Sequence, residues 1–301
     1  IEKAVLPVFI GALILTSLVF VPGLGQHANG ASRWIAVGPL TVQPAEFLKI
    51  ATILMLSLYL AKIRTKIADM RYGLLGFGVI VGVPALLLLA QPNTSTTLVI
   101  GFTATALYFV AGAPLRDFAI LLCVAIVGAG ALAATRPYLM HRVQTFIHPE
   151  ANALSSGYQI QQSLIAIGSG GVMGRGFGQS VQKFNYLPEP VGDSVFAVFG
   201  EEFGLLGTIL LVLLFTGFAA RGFAIAAGAA TAFGSFAATG LTLLITVSAF
   251  MNIGAMLGIM PLTGLPLPFV SHGGTALLAA LASVGIILNV ATHRPKRKAR
   301  D

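Results

Sequence analysis

Leu205-Leu-Gly-Thr-Ile-Leu-Leu-Val-Leu-Leu-Phe-Thr-Gly-Phe-Ala219 contains neither a charge nor a proline. It is the inner part of an apolar span over about 195–219, long enough to cross about 30 Å of hydrocarbon as a helix. In lipid the backbone must satisfy its own hydrogen bonds, so apolar segments of this length mean helices. The rest of the chain reads the same way. Of 301 residues, 56% are hydrophobic and 9% are charged, against roughly 25% charged in a soluble domain. The mean hydropathy is +0.89.

Eight candidate spans emerge, at about 4–21, 45–61, 73–90, 95–112, 117–134, 195–219, 236–258 and 272–291. Only Gln91-Pro92-Asn93 separates the third from the fourth, which predicts a tight turn. The expected fold is an all-α polytopic membrane protein of about eight transmembrane helices, a single membrane-embedded domain over 1–301. It carries one large loop, 135–194, with a short interfacial helix. The chain starts Ile-Glu-Lys with no initiator Met and no signal peptide, so truncation upstream is expected. No internal repeat stands out, which removes the best sequence support for an inverted-repeat transporter. The single cysteine, Cys123, builds neither a disulfide framework nor a metal cluster. The net charge of +8 does not point to nucleic acid, because the basic residues sit in short loops without an aromatic platform.

Charge sets the expected orientation. With the first residues in the cytoplasm, that side holds Lys3, Lys62, Arg64, Lys66, Arg71, Arg116, Arg221, Arg294, Lys296, Arg297, Lys298 and Arg300. The far side holds Arg33, Arg136, Arg142, Arg175 and Lys183, spread over longer loops. Loops 22–44, 135–194 and 259–271 then face outward and the C-terminus is cytoplasmic. The 135–194 loop is far longer than usual, and such loops are functional or disordered. Within it, Gly157 to Ile167 reads as an interfacial helix, apolar at Tyr158, Ile160, Leu164, Ile165 and Ile167 and polar at Gln159, Gln161, Gln162 and Ser163. The glycines of Gly168-Ser-Gly-Gly-Val-Met-Gly-Arg-Gly-Phe-Gly178 permit tight turns and read as a flexible loop. No Gly-Lys-Ser/Thr follows, so this is not a phosphate-binding P-loop.

The loop ends in Tyr186-Leu-Pro-Glu-Pro-Val-Gly-Asp193. Of ten acidic residues in the chain, Glu189, Asp193, Glu201 and Glu202 fall within fourteen positions. Asp193 suits a helix N-cap. It equally suits a general base at a membrane-edge cleft, and only that role explains the acidic neighbours. In Gln43-Pro-Ala-Glu-Phe-Leu-Lys49, Pro44 suits a first helical turn, and the spacing of three puts Glu46 and Lys49 on one face. A bare Lys49 inside hydrocarbon costs at least ~2.5 kcal/mol. It therefore needs an ion pair with Glu46 or a polar cavity. Arg33 beside Trp34 reads as an interfacial anchor or as a diphosphate ligand with a planar fork. Lys183 and Arg136 are weaker candidates of the same kind. Pro261-Leu-Thr-Gly-Leu-Pro-Leu-Pro268 cannot be a continuous helix, and such backbone is tolerated only inside protein or beside a cavity. Ser271-His-Gly-Gly-Thr275 opens the last span.

These motifs together resemble the SEDS family (shape, elongation, division and sporulation) of peptidoglycan glycosyltransferases. Asn29-Gly-Ala-Ser-Arg-Trp-Ile35 resembles N-G-A-x-R-W-I, and Gln43 to Lys49 resembles Q-P-S-E-x-x-K. Tyr158 to Gly178 is similar to the family's glutamine- and glycine-rich motif. Leu187 to Asp193 with Glu201-Glu-Phe-Gly204 is similar to L-P-E-x-x-T-D-F-x-F-A-x-x-x-E-E-x-G. Asn252 to Gly274 resembles N-x-G-x-x-x-G-x-x-P-x-T-G-x-P-L-P-F-x-S-Y-G-G. The resemblance covers nearly the whole chain, and its Gln182 to Pro190 wording leans toward the division branch over the elongation branch. The family usually has ten helices, so two more are expected ahead of Ile1. Departures are Gly192 and Ser194 around the aspartate, Asn93 for the acid of Q-P-D, and His272 for the Tyr of S-Y-G-G.

The resemblance implies polymerisation of lipid II, a disaccharide-peptide on undecaprenyl diphosphate, by one inverting displacement with Asp193 as general base. Its implied substrate-binding set is Arg33, Glu46, Lys49, Lys183, Glu189, Glu201 and Ser271. An acidic site beside an anionic leaving group leaves room for a divalent cation, Mg²⁺ or Mn²⁺, though the sequence shows no ligand set. Implied partners are a class B penicillin-binding protein transpeptidase, other division or elongation proteins and membrane lipid; the implied location is the bacterial plasma membrane. Two other classes fit a chain of this kind, a lipid II flippase and a non-catalytic scaffold of the division complex. A flippase places its main charges near the midplane, whereas these acids gather at the outer edge.

Overall fold

The computed structural model describes residues 2–28, 31–38, 40–148 and 156–293. The basic tail used for orientation, Arg294 to Arg300, and the Asn29-Gly30 pair lie outside the described residues. All eight expected spans are helices. They are α1 (Glu2–Ser17), α2 (Pro44–Ile63), α3 (Leu74–Ala90), α4 (Thr94–Val110), α5 (Leu115–Thr135), α9 (Val195–Ala227), α10 (Ala232–Met256) and α11 (Gly274–Thr292). Among its described residues the long loop holds three more, α6 (Pro137–Ile147), α7 (Ser156–Ser169) and the single turn α8 (Gln182–Asn185). Among the described residues, five helices are long and apolar enough to cross a membrane; α3 and α4 are apolar but shorter. The chain is thus a multi-pass, mainly helical membrane protein.

Among the described residues the all-α expectation has one exception. The connection from α1 to α2 is a three-stranded antiparallel sheet, β1 (Gly25–Ala28), β2 (Ala31–Val37) and β3 (Leu40–Val42), in the order β1-β2-β3. Ile35 faces Gly25 on one side and Val42 on the other. Trp34, Ile35, Val37, Thr41 and Val42 are the β-branched and aromatic residues that favour a pleated surface.

The chain divides into two bodies. The first comprises residues 1–120, 218–245 and 274–301; the second comprises 121–217 and 246–273. In the first, α2 is the central element, with Leu48, Ile53, Leu56 and Leu60 fully buried. Helix α10 comes close enough that a Cβ on Gly240 would lie 2.5 Å from Ile53 Cγ2 and 3.0 Å from Leu107 Cδ2. Lipid supplies no hydrophobic drive between helices, so small residues that admit such close packing hold them together. Buried Asp117 of this body accepts from Tyr108 Oη at 2.7 Å and from Arg116 Nε at 3.2 Å.

In the second body, Phe196, Leu211 and Phe215 of α9 pack with Ala249, Ile253 and Met256 of α10 and with Leu267. Helix α7 forms where the interfacial helix was expected, but its faces differ from that expectation. The row Ile160, Ser163, Ala166 and Gly170 is buried, while Leu164 and Ile165 are exposed. The narrow row wins because its small residues admit close approach: a Cβ on Gly170 would fall 2.1 Å from the Gly200 carbonyl oxygen.

Candidate functional site

Asp193 sits two residues ahead of α9, in a turn that the second body ties down on several sides. The Glu189 carbonyl accepts from Gly192 N and Ser194 N, both at 3.1 Å, which folds 189–194 back on itself. Glu189 takes φ +48° to do so, a conformation costly for a residue with a Cβ. Asp193 is not the cap of α9. Ser194 holds that place, its carbonyl accepting from Ala197 N and Val198 N. The Ser194 hydroxyl donates to Pro188 O at 2.8 Å and accepts from Gln159 Nε2 of α7 at 3.0 Å. So one departure from the family wording links the aspartate turn to α7.

The proline-rich stretch 261–268 forms the opposite wall. It is irregular, as its prolines require, and lies beside Asp193. Gly264 has φ +64°, and a Cβ there would stand 3.3 Å from Asp193 Oδ2. Buried Asn252 clamps the two segments, donating through Nδ2 to Asp193 O and to Leu265 O, each at 2.7 Å. Ser271 Oγ donates to Gly192 O at 2.6 Å and accepts from Leu267 N at 2.8 Å. His272 N donates to Val191 O at 2.8 Å. The backbone around Asp193 is thus fixed while its carboxylate, half-buried, makes no hydrogen bond among the described residues. Burial pushes its pKa above the ordinary carboxylate value; the Glu189 charge adds to this and Arg142 of α6 opposes it.

Glu201 and Glu202 have a different setting. Helix α9 is broken at Gly204, whose φ and ψ are 64° and −162°. The glycine-rich segment, far from loose, repairs the break. Arg175 N and Gly176 N donate to the carbonyls of Glu201 and Glu202, both at 3.0 Å. The carbonyls of Gly171 and Val172 accept from Leu205 N and Leu206 N, at 2.9 and 3.2 Å. A Cβ on Gly174 would fall 2.2 Å from Glu202 O, and one on Gly204 would fall 2.3 Å from Gly174 N, so the two chains meet backbone to backbone. The fully buried Glu201 carboxylate accepts from Ser180 Oγ at 2.6 Å and from Val181 N and Gln182 N at 3.2 Å, and pairs with Arg175 at 3.1 Å. Glu202 pairs with Lys183 at 2.7 Å, and Lys183 also donates to Gly178 O at 2.9 Å.

The remaining candidates lie in the first body. Glu46 and Lys49 form a buried ion pair of 2.9 Å on one face of α2, as the spacing predicted. Arg33 of β2 donates to the carbonyls of Gln91 and Pro92 at the end of α3. Asn93 caps α4 by accepting from Thr96 N at 3.4 Å, so the amide keeps the capping role an aspartate has there. The structure therefore groups Asp193 and Glu189 in one turn to which Ser271 is hydrogen-bonded, and Glu201 with Lys183 at the α9 break. Arg33 and the Glu46–Lys49 pair belong to the other body. Sequence reasoning missed Asn252, Gln159 and Arg142 as neighbours of Asp193; Asn252 and Gln159 each carried a signal, since each lies in a motif.

No three His, Cys, Asp or Glu side chains converge among the described residues. Glu189, beside Asp193, is the carboxylate that would hold a divalent cation here, and such an ion would supply positive charge to an anionic group.

A family model for FtsW, RodA and SpoVE, described as cell cycle protein, matches residues 1–296. Stage V sporulation protein E of Bacillus subtilis is 40% identical over 279 residues, 93% of this chain and 76% of that protein. The probable peptidoglycan glycosyltransferase FtsW of Legionella pneumophila is 38% identical over 292 residues, 96% of this chain and 74% of that protein. Among solved structures, a chain from a study of polymerization and crosslinking by a peptidoglycan synthase complex superposes with TM-score 0.79. It is 29% identical and covers 98% of this chain and 83% of its own. With a membrane-spanning helical fold, the motifs in order and a family match along almost its whole length, the chain belongs to the FtsW/RodA/SpoVE family of cell cycle proteins.

Proposed function

We propose that the chain is a peptidoglycan glycosyltransferase that polymerises lipid II, with Asp193 as general base. The observation that carries this is the state of the Asp193 carboxylate. Its backbone is clamped by Asn252, Ser271 and the Glu189 turn, yet its oxygens are uncommitted among the described residues. A structural carboxylate is spent on its neighbours, as Glu201 is. A raised pKa brings the base nearer to the working pH, where general-base catalysis is typically worth roughly 10²–10⁴-fold.

Asp193 takes the proton from the acceptor sugar hydroxyl as its oxygen attacks the anomeric carbon of the lipid-linked donor. The bond to the diphosphate breaks and its configuration inverts from α to β, so one displacement and one base suffice. The diphosphate departs as an anion without needing a proton. Its charge calls for a cation. A divalent ion held by Glu189 and the diphosphate would neutralise it electrostatically. Arg33 and the Glu46-held Lys49 stand as anion-binding candidates of the first body. The charge bias of the loops supports an extracytoplasmic Asp193 and a cytoplasmic C-terminus. The similarity to a chain from a peptidoglycan synthase complex that couples polymerization to crosslinking supports a crosslinking partner, which the motif resemblance makes a class B penicillin-binding protein.

The test is polymerisation of purified lipid II in detergent with the partner transpeptidase present. Wild-type protein yields glycan strands and Asp193→Asn yields none. Undiminished polymer from the variant removes Asp193 from this role, and lipid translocation in vesicles without polymer turns the reading to a flippase.

A further inference from the structure

The glycine-rich segment that repairs α9 carries side chains the catalytic reading does not use. Met173 is 78% exposed and Phe177 is 83% exposed, with Val172 also exposed beside them. These are large apolar groups on a segment that is held rigidly, not frayed. Four backbone hydrogen bonds fasten it to α9, and Arg175 and Lys183 pin it to Glu201 and Glu202.

Their position along α9 says what they face. Below the break, α9 runs from Leu205 to Ala227. At 1.5 Å per residue this is about 34 Å, enough to span the hydrocarbon by itself. The exposed row Leu205, Leu206, Ile209, Leu210, Leu213 and Leu214 is its outward face. The carbonyls of Gly171 and Val172 bond to the amides of Leu205 and Leu206, so Val172 and Met173 begin where that row begins. Phe177 lies at a tilt to Phe203 of α9, with ring centroids 6.1 Å apart, and extends this apolar surface. Broken backbone at this depth is permitted only if its polar groups are satisfied, and the glycine segment satisfies them. The Arg175 guanidinium reaches back to Glu201 and to Ser169 O, as a cation does when its stem lies in an apolar layer.

We infer that residues 171–177 are a lipid-embedded hairpin, with Val172, Met173 and Phe177 among the acyl chains of the leaflet at the Asp193 end of α9. The occupant of this surface is the bilayer, because the surface is continuous with the lipid-facing row of a membrane-spanning helix. The hairpin thus anchors in lipid the same α9 turn that carries the Glu201 and Glu202 carboxylates.

The test uses the whole chain in phosphatidylcholine–phosphatidylglycerol vesicles, with Cys123→Ala as background. Single nitroxide labels are attached at Met173→Cys and, separately, Phe177→Cys. Leu210→Cys serves as the lipid reference and Thr65→Cys as the aqueous reference. Collision with oxygen, which concentrates in hydrocarbon, is compared with collision with a water-soluble nickel chelate. The expected oxygen-to-nickel ratio at 173 and 177 matches position 210 and exceeds position 65 several-fold. A ratio equal to that at position 65 puts the hairpin in water and overturns the inference. Shielding from both reagents means that protein covers the surface, as a docked partner helix or second copy would, and overturns it equally. The two labelled positions are independent, so a fold lost at one leaves the other decisive.

Discussion

Replacing Glu201 by Gln probes the repaired break of α9 with little change of shape. The carboxylate takes two donors on each oxygen: Val181 N and Arg175 on Oε1, Ser180 Oγ and Gln182 N on Oε2. A glutamine offers one oxygen and one NH₂. The serine hydroxyl can rotate to accept, but the Gln182 amide then faces a donor. An unpaired buried donor costs about 1–3 kcal/mol, and hydrogen bonds to a charge exceed those to a neutral group by about 1 kcal/mol. The Arg175 pair adds little, because its guanidinium is well exposed and water screens it. The sum is about 3 kcal/mol in favour of the opened segment, roughly a hundredfold in its population. Trypsin reads that population, since Arg175 and Lys183 both lie in the clamped segment and cleavage tracks the open form when reclosing is fast. Cleavage at these two residues should therefore rise by about two orders of magnitude in Glu201→Gln, measured by mass on protein in detergent micelles. Equal cleavage of variant and wild type would refute the clamp. Equal cleavage with lost polymerisation would place Glu201 on the substrate.

Four further outcomes are expected. Asp193 acts as a base only when ionised, so kcat/KM should fall as pH drops through a value above the ordinary carboxylate range; Glu189→Gln moves that limb to lower pH and Arg142→Ala to higher, and a limb that ignores both contradicts the assignment. A raised pKa also means that the folded state prefers the protonated acid, a preference lost as pH rises through the raised value, so Asp193→Asn should melt no lower than wild type near neutral pH. Gly264→Ala places a Cβ at positive φ, costing roughly 1–2 kcal/mol, and presses on Asp193 Oδ2; kcat should fall with little change in KM, and an unchanged kcat argues against that wall. Glu46→Gln leaves Lys49 buried without its counter-charge and should destabilise by about 3–5 kcal/mol in thermal melts, whereas Glu46→Gln with Lys49→Met restores stability; polymerisation restored as well marks the pair as structural.

The spans are legible because lipid imposes one solution on an apolar chain: every span from 4–21 to 272–291 is a helix, with ends shifted by at most eight residues. The Glu46–Lys49 pair was legible because helical spacing is local. The sheet is hard to read from long apolar runs because its strands are short and partly polar; its sequence signal is the Asn29-Gly30 pair, a dipeptide that favours hairpin turns. The glycine-rich segment was misread for a deeper reason. Glycine signals freedom in isolation and close approach in context, and the context, the broken turn at Gly204, lies about thirty residues away in the chain. Glu201 and Asp193 were equally acidic in sequence. Only the structure separates them, one saturated by donors and the other uncommitted among the described residues.

The repaired helix also sets a rule for how this protein can be made. Synthesis runs from the N-terminus, so the segment around Gly171 to Gly176 leaves the ribosome before α9 does. The strip that completes α9 is already present when α9 enters the bilayer, and the interrupted turn need never face hydrocarbon with bare amides. A circular permutant that moved this strip behind α9 would keep every contact of the finished molecule, yet would insert an unfinished span first.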